Sequence, residues 1–134
     1  MSQSLAVVTA YATLGEEGLT ESLAETKVKA IFLDPGLISS LIKPLSSAKE
    51  MKYVIYHGEP SEEDLTKLKA THGHLTVLSY DSLLKLGKAN PVPAVPPKAT
   101  DLACIMYTSG SMGRAKGVLL THRNVTSAGN QSSI

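Results

Sequence analysis

Short β-branched runs alternate with amphipathic stretches along this chain, which predicts strands and helices in turn. Ala6 to Ala10 reads as a first strand, Val28 to Leu33 as a second, Lys52 to Tyr56 as a third and Leu75 to Leu78 as a fourth. Thr13 and Glu16 stand at capping-box spacing, so a helix is expected to begin there, with Leu19 and Leu23 one turn apart on a common face. Asp34-Pro35 combines a capping residue with a proline suited to a first helical turn. Leu37, Ile38, Leu41, Ile42 and Leu45 then form an apolar helical stripe, which Pro44 must kink or shorten. Ser61 is expected to cap a helix whose first turn carries Glu62, Glu63 and Asp64, acids that complement the helix dipole. A short helix is expected from Asp81 to Leu86, with Gly87 placed to stop it. Leu102 to Tyr107 reads as a fifth strand and Gly117 to Leu120 as a sixth, with Thr121 able to cap a terminal helix.

Strands that alternate with helices imply βαβ units and a mainly parallel sheet, so the fold class is α/β. Pro91, Pro93, Pro96 and Pro97 crowd residues 89–97, where they predict an extended linker. The expected organisation is a β/α body over residues 1–88, a Pro-rich linker over 89–99 and a strand–loop–strand–helix segment over 100–134.

Composition narrows the function classes. Lys and Arg total 13 and Asp and Glu 12, a net charge of +1 that gives no electrostatic footprint for nucleic acid. Phe32 is the single phenylalanine and there is no tryptophan, so the core is expected to be aliphatic. Cys104 is the one cysteine, which excludes an internal disulfide; within Leu102–Met106 it reads as a small buried hydrophobe. No apolar run approaches the ~18–20 residues of a membrane helix, and Met1-Ser2-Gln3-Ser4 lacks the positive charge of a signal peptide.

Most polar clusters have an ordinary structural explanation. His72-Gly73-His74 suggests a metal site but has no third ligand, so a solvated loop is expected. Glu62-Glu63-Asp64, directly after a capping serine, reads as dipole complementation rather than an acid/base pair. Tyr53 and Tyr56 fall on opposite faces of one strand and are expected to pack on the sheet. His122 stays open between a pocket residue and a first-turn helix residue.

One stretch carries chemistry: Tyr107-Thr108-Ser109-Gly110-Ser111-Met112-Gly113-Arg114-Ala115-Lys116-Gly117-Val118. Hydroxyls, glycines and cations directly follow an apolar strand. Such a loop offers backbone N–H groups, hydroxyls and positive charge to an anion, and its glycines permit close approach. That is the composition of a polyphosphate cradle. It is not a Walker A loop, because Ala115 and Gly117 occupy positions that need Gly and Ser or Thr. Nor is it a dinucleotide fingerprint, because Gly110 and Gly113 are wrongly spaced. Composition alone leaves phosphate binding and a mere flexible turn both open.

The order of these residues, Y-T-S-G-S-x-G-x-x-K-G-V, resembles the phosphate-loop signature of the adenylate-forming (AMP-binding) superfamily, the acyl-CoA synthetase and luciferase group. Leu119 to Val125 resembles the strand and helix start that follow it. Val8 to Leu19 and Ser22 to Phe32 resemble the matching stretches of fungal long-chain-fatty-acid–CoA ligases. The resemblance runs from about Val7 to Val125.

It implies part of the N-terminal large domain of an adenylate-forming enzyme. The implied reaction joins a fatty acid to ATP with Mg²⁺, releases pyrophosphate, and passes the acyl group to CoA, leaving AMP. By match to the motif, Thr108, Ser109, Gly110, Ser111 and Gly113 would line the β- and γ-phosphates, and Lys116 would pair with them or brace the loop. Met112 stands where the family has Thr and would take the position of a phosphate ligand, although a thioether cannot donate a hydrogen bond. Ala115 stands where the family has Pro, which implies a looser loop. No catalytic residue and no metal ligand is assigned in this chain.

The family's adenine, ribose, metal, hinge and catalytic-lysine segments lie downstream of the motif, beyond residue 134. The expectation is a fragment of a long-chain-fatty-acid–CoA ligase that retains the phosphate loop, is inactive alone and exposes an apolar sheet edge or patch. The alternatives are a non-catalytic relative that serves as a nucleotide-binding or interaction module, and one half of a split enzyme completed by a partner chain. The expected location is cytoplasmic, with peripheral membrane attachment as in long-chain members of the family.

Overall fold

The computed structural model describes residues 3–11, 14–108 and 115–131. In chain order the elements are β1 (Val7–Thr9), α1 (Gly15–Thr26), β2 (Ala30–Leu33), α2 (Ile38–Leu41), β3 (Tyr53–Tyr56), α3 (Glu62–Thr71), β4 (Thr76–Ser79), α4 (Tyr80–Ala89), β5 (Leu102–Thr108), β6 (Lys116–Thr121) and α5 (His122–Gln131). The 3₁₀ turns Pro35–Leu37 and Pro44–Ser47 flank α2. Of the four strand pairings among the described residues, three are parallel, so the α/β class with a mainly parallel sheet holds. The chain forms two compact units, one of residues 14–91 and one of residues 1–13 and 92–134.

The unit of residues 14–91 carries a parallel sheet of order β2-β3-β4. Side chains alternate across a strand, so Ile31, Val54 and Val77, which share one register row, point to one face. That face joins an aliphatic core holding Leu23 of α1, Ile38 and Leu41 of α2, and Leu68 of α3. Ile38, Leu68 and Val54 are fully buried; each contributes roughly 1.5–3 kcal/mol relative to exposure. Tyr56 packs against this core, as sheet packing requires. Tyr53 does not; it lies on the opposite face and is exposed, because three residues along a strand reverse the side. The single phenylalanine, Phe32, also points away from the core.

Local signals set most element ends, with exceptions. Ser61 caps α3, its hydroxyl accepting from the Asp64 amide at 3.5 Å. Ser79 caps α4 through the Ser82 amide at 3.2 Å. The N-cap of α1 is Leu14, which makes no side-chain cap bond; Thr13, the expected cap, lies outside the described residues. The Asp34 side chain makes no cap bond either; its backbone carbonyl instead accepts from the Leu37 amide at 3.0 Å and closes a 3₁₀ turn. The helix after it lasts one turn, since Pro44 has no N–H to extend it. Ile38, Leu41, Ile42 and Leu45 are buried as the stripe predicts, but Leu37 sits in the 3₁₀ turn, off the helical period, and is exposed. Gly87 does not stop α4, which runs on to Ala89. The stop comes at Asn90, whose amide and side-chain Nδ2 both donate to the Leu86 carbonyl, at 3.1 and 3.0 Å.

His72 overturns the solvated-loop expectation. It is buried at the C-terminal end of α3, with Nε2 2.7 Å from the Ile42 carbonyl oxygen. That carbonyl follows α2, whose last carbonyls have no helical partner. A carbonyl only accepts, so Nε2 carries the proton and donates. His74 is exposed and meets the His72 ring edge-on at 6.1 Å.

In the other unit the sheet order is β1-β5-β6. β1 runs parallel to β5, with Val7 beside Cys104, and β6 runs antiparallel to it. The sequence reading groups β1 with residues 1–88; its hydrogen-bonded neighbour is β5, from which residues 14–91 separate it in sequence. The Pro-rich segment is tied down here. Gln3 Nε2 donates to the Pro93 carbonyl at 3.1 Å and the Ser4 hydroxyl to the Val95 carbonyl at 2.6 Å. Cys104 is half-buried rather than buried. The start of α5 is capped as expected: the Thr121 hydroxyl accepts from the Asn124 amide at 3.3 Å while Asn124 Oδ1 accepts from the Thr121 amide at 2.9 Å. No helix among the described residues is long and apolar enough to cross a membrane.

Candidate functional site

The hydroxyl- and glycine-rich stretch is carried by the β5–β6 hairpin. β5 is the longest described strand, and its apolar run Leu102–Met106 places it at the centre of its sheet between β1 and β6. The antiparallel ladder pairs Ile105 with Leu119, Met106 with Val118, Tyr107 with Gly117 and Thr108 with Lys116. The last pair forms the neck of the loop. The Thr108 hydroxyl donates to the Lys116 carbonyl at 3.4 Å, a long bond spanning the two strands.

Of the residues the sequence singles out, the structure therefore brings Thr108 and Lys116 together as cross-strand neighbours at the mouth of the loop. Both are exposed. Lys116 has no carboxylate partner among the described residues, where Lys43–Glu16 is the ion pair present. Its charge is thus not neutralised by a described neighbour. Ser109, Gly110, Ser111, Met112 and Gly113 lie outside the described residues, as does Arg114.

The neck is held by a residue pair that motif reading passes over. Tyr107 is buried, and its ring lies across Gly117: a Cβ on that glycine would come within 3.5 Å of the ring and 3.0 Å of Ile105 Cγ2. A glycine opposite an aromatic in an antiparallel ladder was the available signal, since the bare strand leaves a surface for the ring.

His122 is the first residue of α5, which favours the helix-turn reading. Its amide donates to the Asp101 carbonyl at 3.0 Å, and the next amide, of Arg123, donates to the Ala99 carbonyl at 2.9 Å. These bonds occupy the first amides of α5. The ring Nε2 is shielded and has no partner among the described residues.

Among the described residues no three His, Cys, Asp or Glu side chains gather where they could hold a metal ion. An open depression of about 410 Å³ is lined by Leu23, Ala24, Lys27, Ser47, Lys49 and Glu50, none of which belongs to the motif.

Comparison with known proteins agrees with the motif. The model of a family described as AMP-binding enzyme matches residues 1–133. The chain is 48% identical over 127 residues to long-chain-fatty-acid–CoA ligase 2 of Schizosaccharomyces pombe, covering 95% of this chain and 18% of that protein. It is 45% identical over 140 residues to long-chain-fatty-acid–CoA ligase 1 of Saccharomyces cerevisiae, covering 92% of this chain and 20% of that protein. The chain thus spans about a fifth of the length of these relatives. Among solved structures, the adenylation domain of the carboxylate reductase from Mycobacterium chelonae superposes with a TM-score of 0.71 at 18% identity, over 88% of this chain and 20% of that one. The adenylation domain of carboxylic acid reductase from Segniliparus rugosus, in complex with AMP and a co-purified carboxylic acid, superposes with a TM-score of 0.71 at 19% identity, over 91% of this chain and 21% of that one. At these identities the structural likeness speaks to the fold.

Proposed function

Since the chain belongs to the AMP-binding enzyme family, we propose that residues 1–134 supply the phosphate-holding hairpin of a long-chain-fatty-acid–CoA ligase. The observation that carries this reading is the register of the β5–β6 ladder, which pairs Thr108 with Lys116 at the two ends of the motif. A hairpin closed at that pair carries a hydroxyl on one strand of its neck and an ammonium on the other. In this reading Thr108, Ser109, Gly110, Ser111 and Gly113 hold the β- and γ-phosphates of ATP through hydroxyls and backbone N–H groups. Lys116 supplies the charge. Such donors stabilise the negative charge that develops on pyrophosphate as it leaves.

Met112 weakens the cradle, because its thioether offers no donor to phosphate. Assayed by itself, the polypeptide of residues 1–134 carries out no ligation. Acyl transfer requires nucleotide, carboxylate and thiol to be held in one near-attack geometry, and a chain spanning about a fifth of its relatives supplies one part of that arrangement. The ligase as a whole would take a fatty acid, ATP and CoA, and would work in the cytoplasm or at the surface of a membrane.

Isothermal calorimetry of the chain with ATP tests the reading, with Lys116→Ala as comparison. Saturable ATP binding that Lys116→Ala weakens supports it. ATP binding of equal strength in both proteins, or none even in a Met112→Thr variant, overturns it. A second measurement, release of pyrophosphate dependent on fatty acid and CoA, would overturn the inactivity if it appeared with this chain alone.

A further inference from the structure

The Pro-rich segment has an order that its composition alone does not explain. Residues 92–98 read Val92-Pro93-Ala94-Val95-Pro96-Pro97-Lys98, two Val-Pro pairs spaced as P-x-x-P and closed by a cation two residues after the second proline. The segment joins neither sheet and forms no helix. Each proline fixes its own φ near about −65° and holds the residue before it extended. From Val92 to Pro97 that leaves Ala94 as the one residue under neither constraint.

Its ends are held and its side chains are presented. Gln3 and Ser4 bond to the carbonyls of Pro93 and Val95. At the other end the Lys98 amide donates to Asp101 Oδ2 at 2.8 Å, and the Asp101 amide donates back to the Lys98 carbonyl at 3.1 Å. These bonds use the backbone and leave Val92 70% exposed and Val95 58% exposed. Pro93, Pro96 and Lys98 are exposed as well. The Lys98 ammonium forms no ion pair among the described residues.

A polyproline II helix has three residues per turn, so Val92 and Val95 share one side of it, as do Pro93 and Pro96. Aromatic-lined grooves recognise this shape, and a ligand already extended loses little entropy on docking. We propose that residues 92–98 are a ligand segment for an SH3-type domain. The Val92-Pro93 and Val95-Pro96 pairs fill its aromatic-lined groove, and Lys98 pairs with an acidic pocket at the end of that groove. The cation at a fixed distance from Pro96 is what favours this partner over a general proline binder. None of these residues belongs to the phosphate motif, so the proposal stands apart from the ATP reading.

The chain contains no tryptophan, so a tryptophan in the partner's groove reports binding without interference. The probe is a purified SH3 domain that takes P-x-x-P-x-Arg/Lys peptides, titrated with the chain while its tryptophan fluorescence is followed. Saturable one-to-one binding is expected. Loss of a pocket-filling residue should weaken it at least about tenfold, in Pro93→Ala and in Pro96→Ala. Lys98→Glu should weaken it by a similar factor and remove its dependence on salt, because the charge contact is screened. Pro91→Ala, outside the register, should bind like the parent, and all four variants should keep its far-ultraviolet circular dichroism. No binding by the chain overturns the proposal, even if a free peptide of residues 90–99 binds, since the folded chain then withholds the segment. Equal affinity in the parent, Pro93→Ala and Pro96→Ala overturns it too. So does equal loss in Pro91→Ala, which would make proline content rather than spacing the determinant, or a Lys98→Glu variant that binds as tightly as the parent.

Discussion

Tyr107 and Gly117 face each other across the β5–β6 ladder, and a Cβ at 117 would lie in van der Waals contact with the tyrosine ring, 3.5 Å from its nearest carbon. The nearest atom to a new Cβ, Ile105 Cγ2, would lie at 3.0 Å. A single methyl can be accommodated if Ile105 shifts by a few tenths of an ångström. A branched side chain adds two methyls beside Ile105 and the Tyr107 ring and needs a larger shift. Gly117→Val is therefore expected to lower stability by about 1–3 kcal/mol, with Gly117→Ala within about 1 kcal/mol of the parent. Urea denaturation measures both. Equal stability of the valine variant and the parent would show that the ring does not hold the neck.

His72 joins the end of α3 to the carbonyl that follows α2. His72→Phe keeps the bulk of the ring but leaves the buried Ile42 carbonyl without its donor. An unsatisfied buried acceptor costs about 1–3 kcal/mol. His72→Ala adds a cavity and should cost more, about 2–5 kcal/mol in all. Denaturant unfolding of the two variants separates the contributions. If the phenylalanine variant matches the parent, the hydrogen bond contributes nothing to stability.

Lys27 ends α1 in the left-handed region, with φ of 51°. A residue with a Cβ pays roughly 1–2 kcal/mol there, and glycine does not. Lys27→Gly is expected to raise stability by about 0.5–1 kcal/mol, the gain being reduced by glycine's greater freedom in the unfolded chain. The rise should appear as a higher urea midpoint with an unchanged slope. A fall in the midpoint would mean that the lysine contributes contacts beyond its backbone role.

At the proposed cradle, Met112→Thr restores a hydroxyl that can donate to phosphate. A hydrogen bond to a charged group contributes about 1.5–3 kcal/mol, so ATP should bind at least about tenfold more tightly. Lys116→Ala should loosen it by a similar factor and flatten its dependence on salt, because a screened ion contact is lost. Titrations at two ionic strengths check both. A threonine variant with unchanged affinity would remove position 112 from the phosphate contacts.

The sequence by itself determined the strands, most helices, two of their caps, and the family. These are local properties. The alternation in Tyr53–Tyr56, the caps Ser61 and Thr121, and the order of residues 107–118 are all legible within a few neighbours along the chain. Errors arose where a local signal had a competitor: Gly87 could stop a helix but is tolerated within one, and Leu37 left the helical period when Pro35 and Pro44 imposed 3₁₀ turns. Tertiary structure alone decided which strands are neighbours. β1 pairs with β5 because the partner of a strand edge depends on the whole topology, not on the segment next to it in sequence. It alone decided that His72 is buried, because that depends on where the ends of α2 and α3 meet. It alone showed that Phe32 and Tyr53 are exposed, because a pattern of apolar positions says that a residue seeks cover and not whether it finds it.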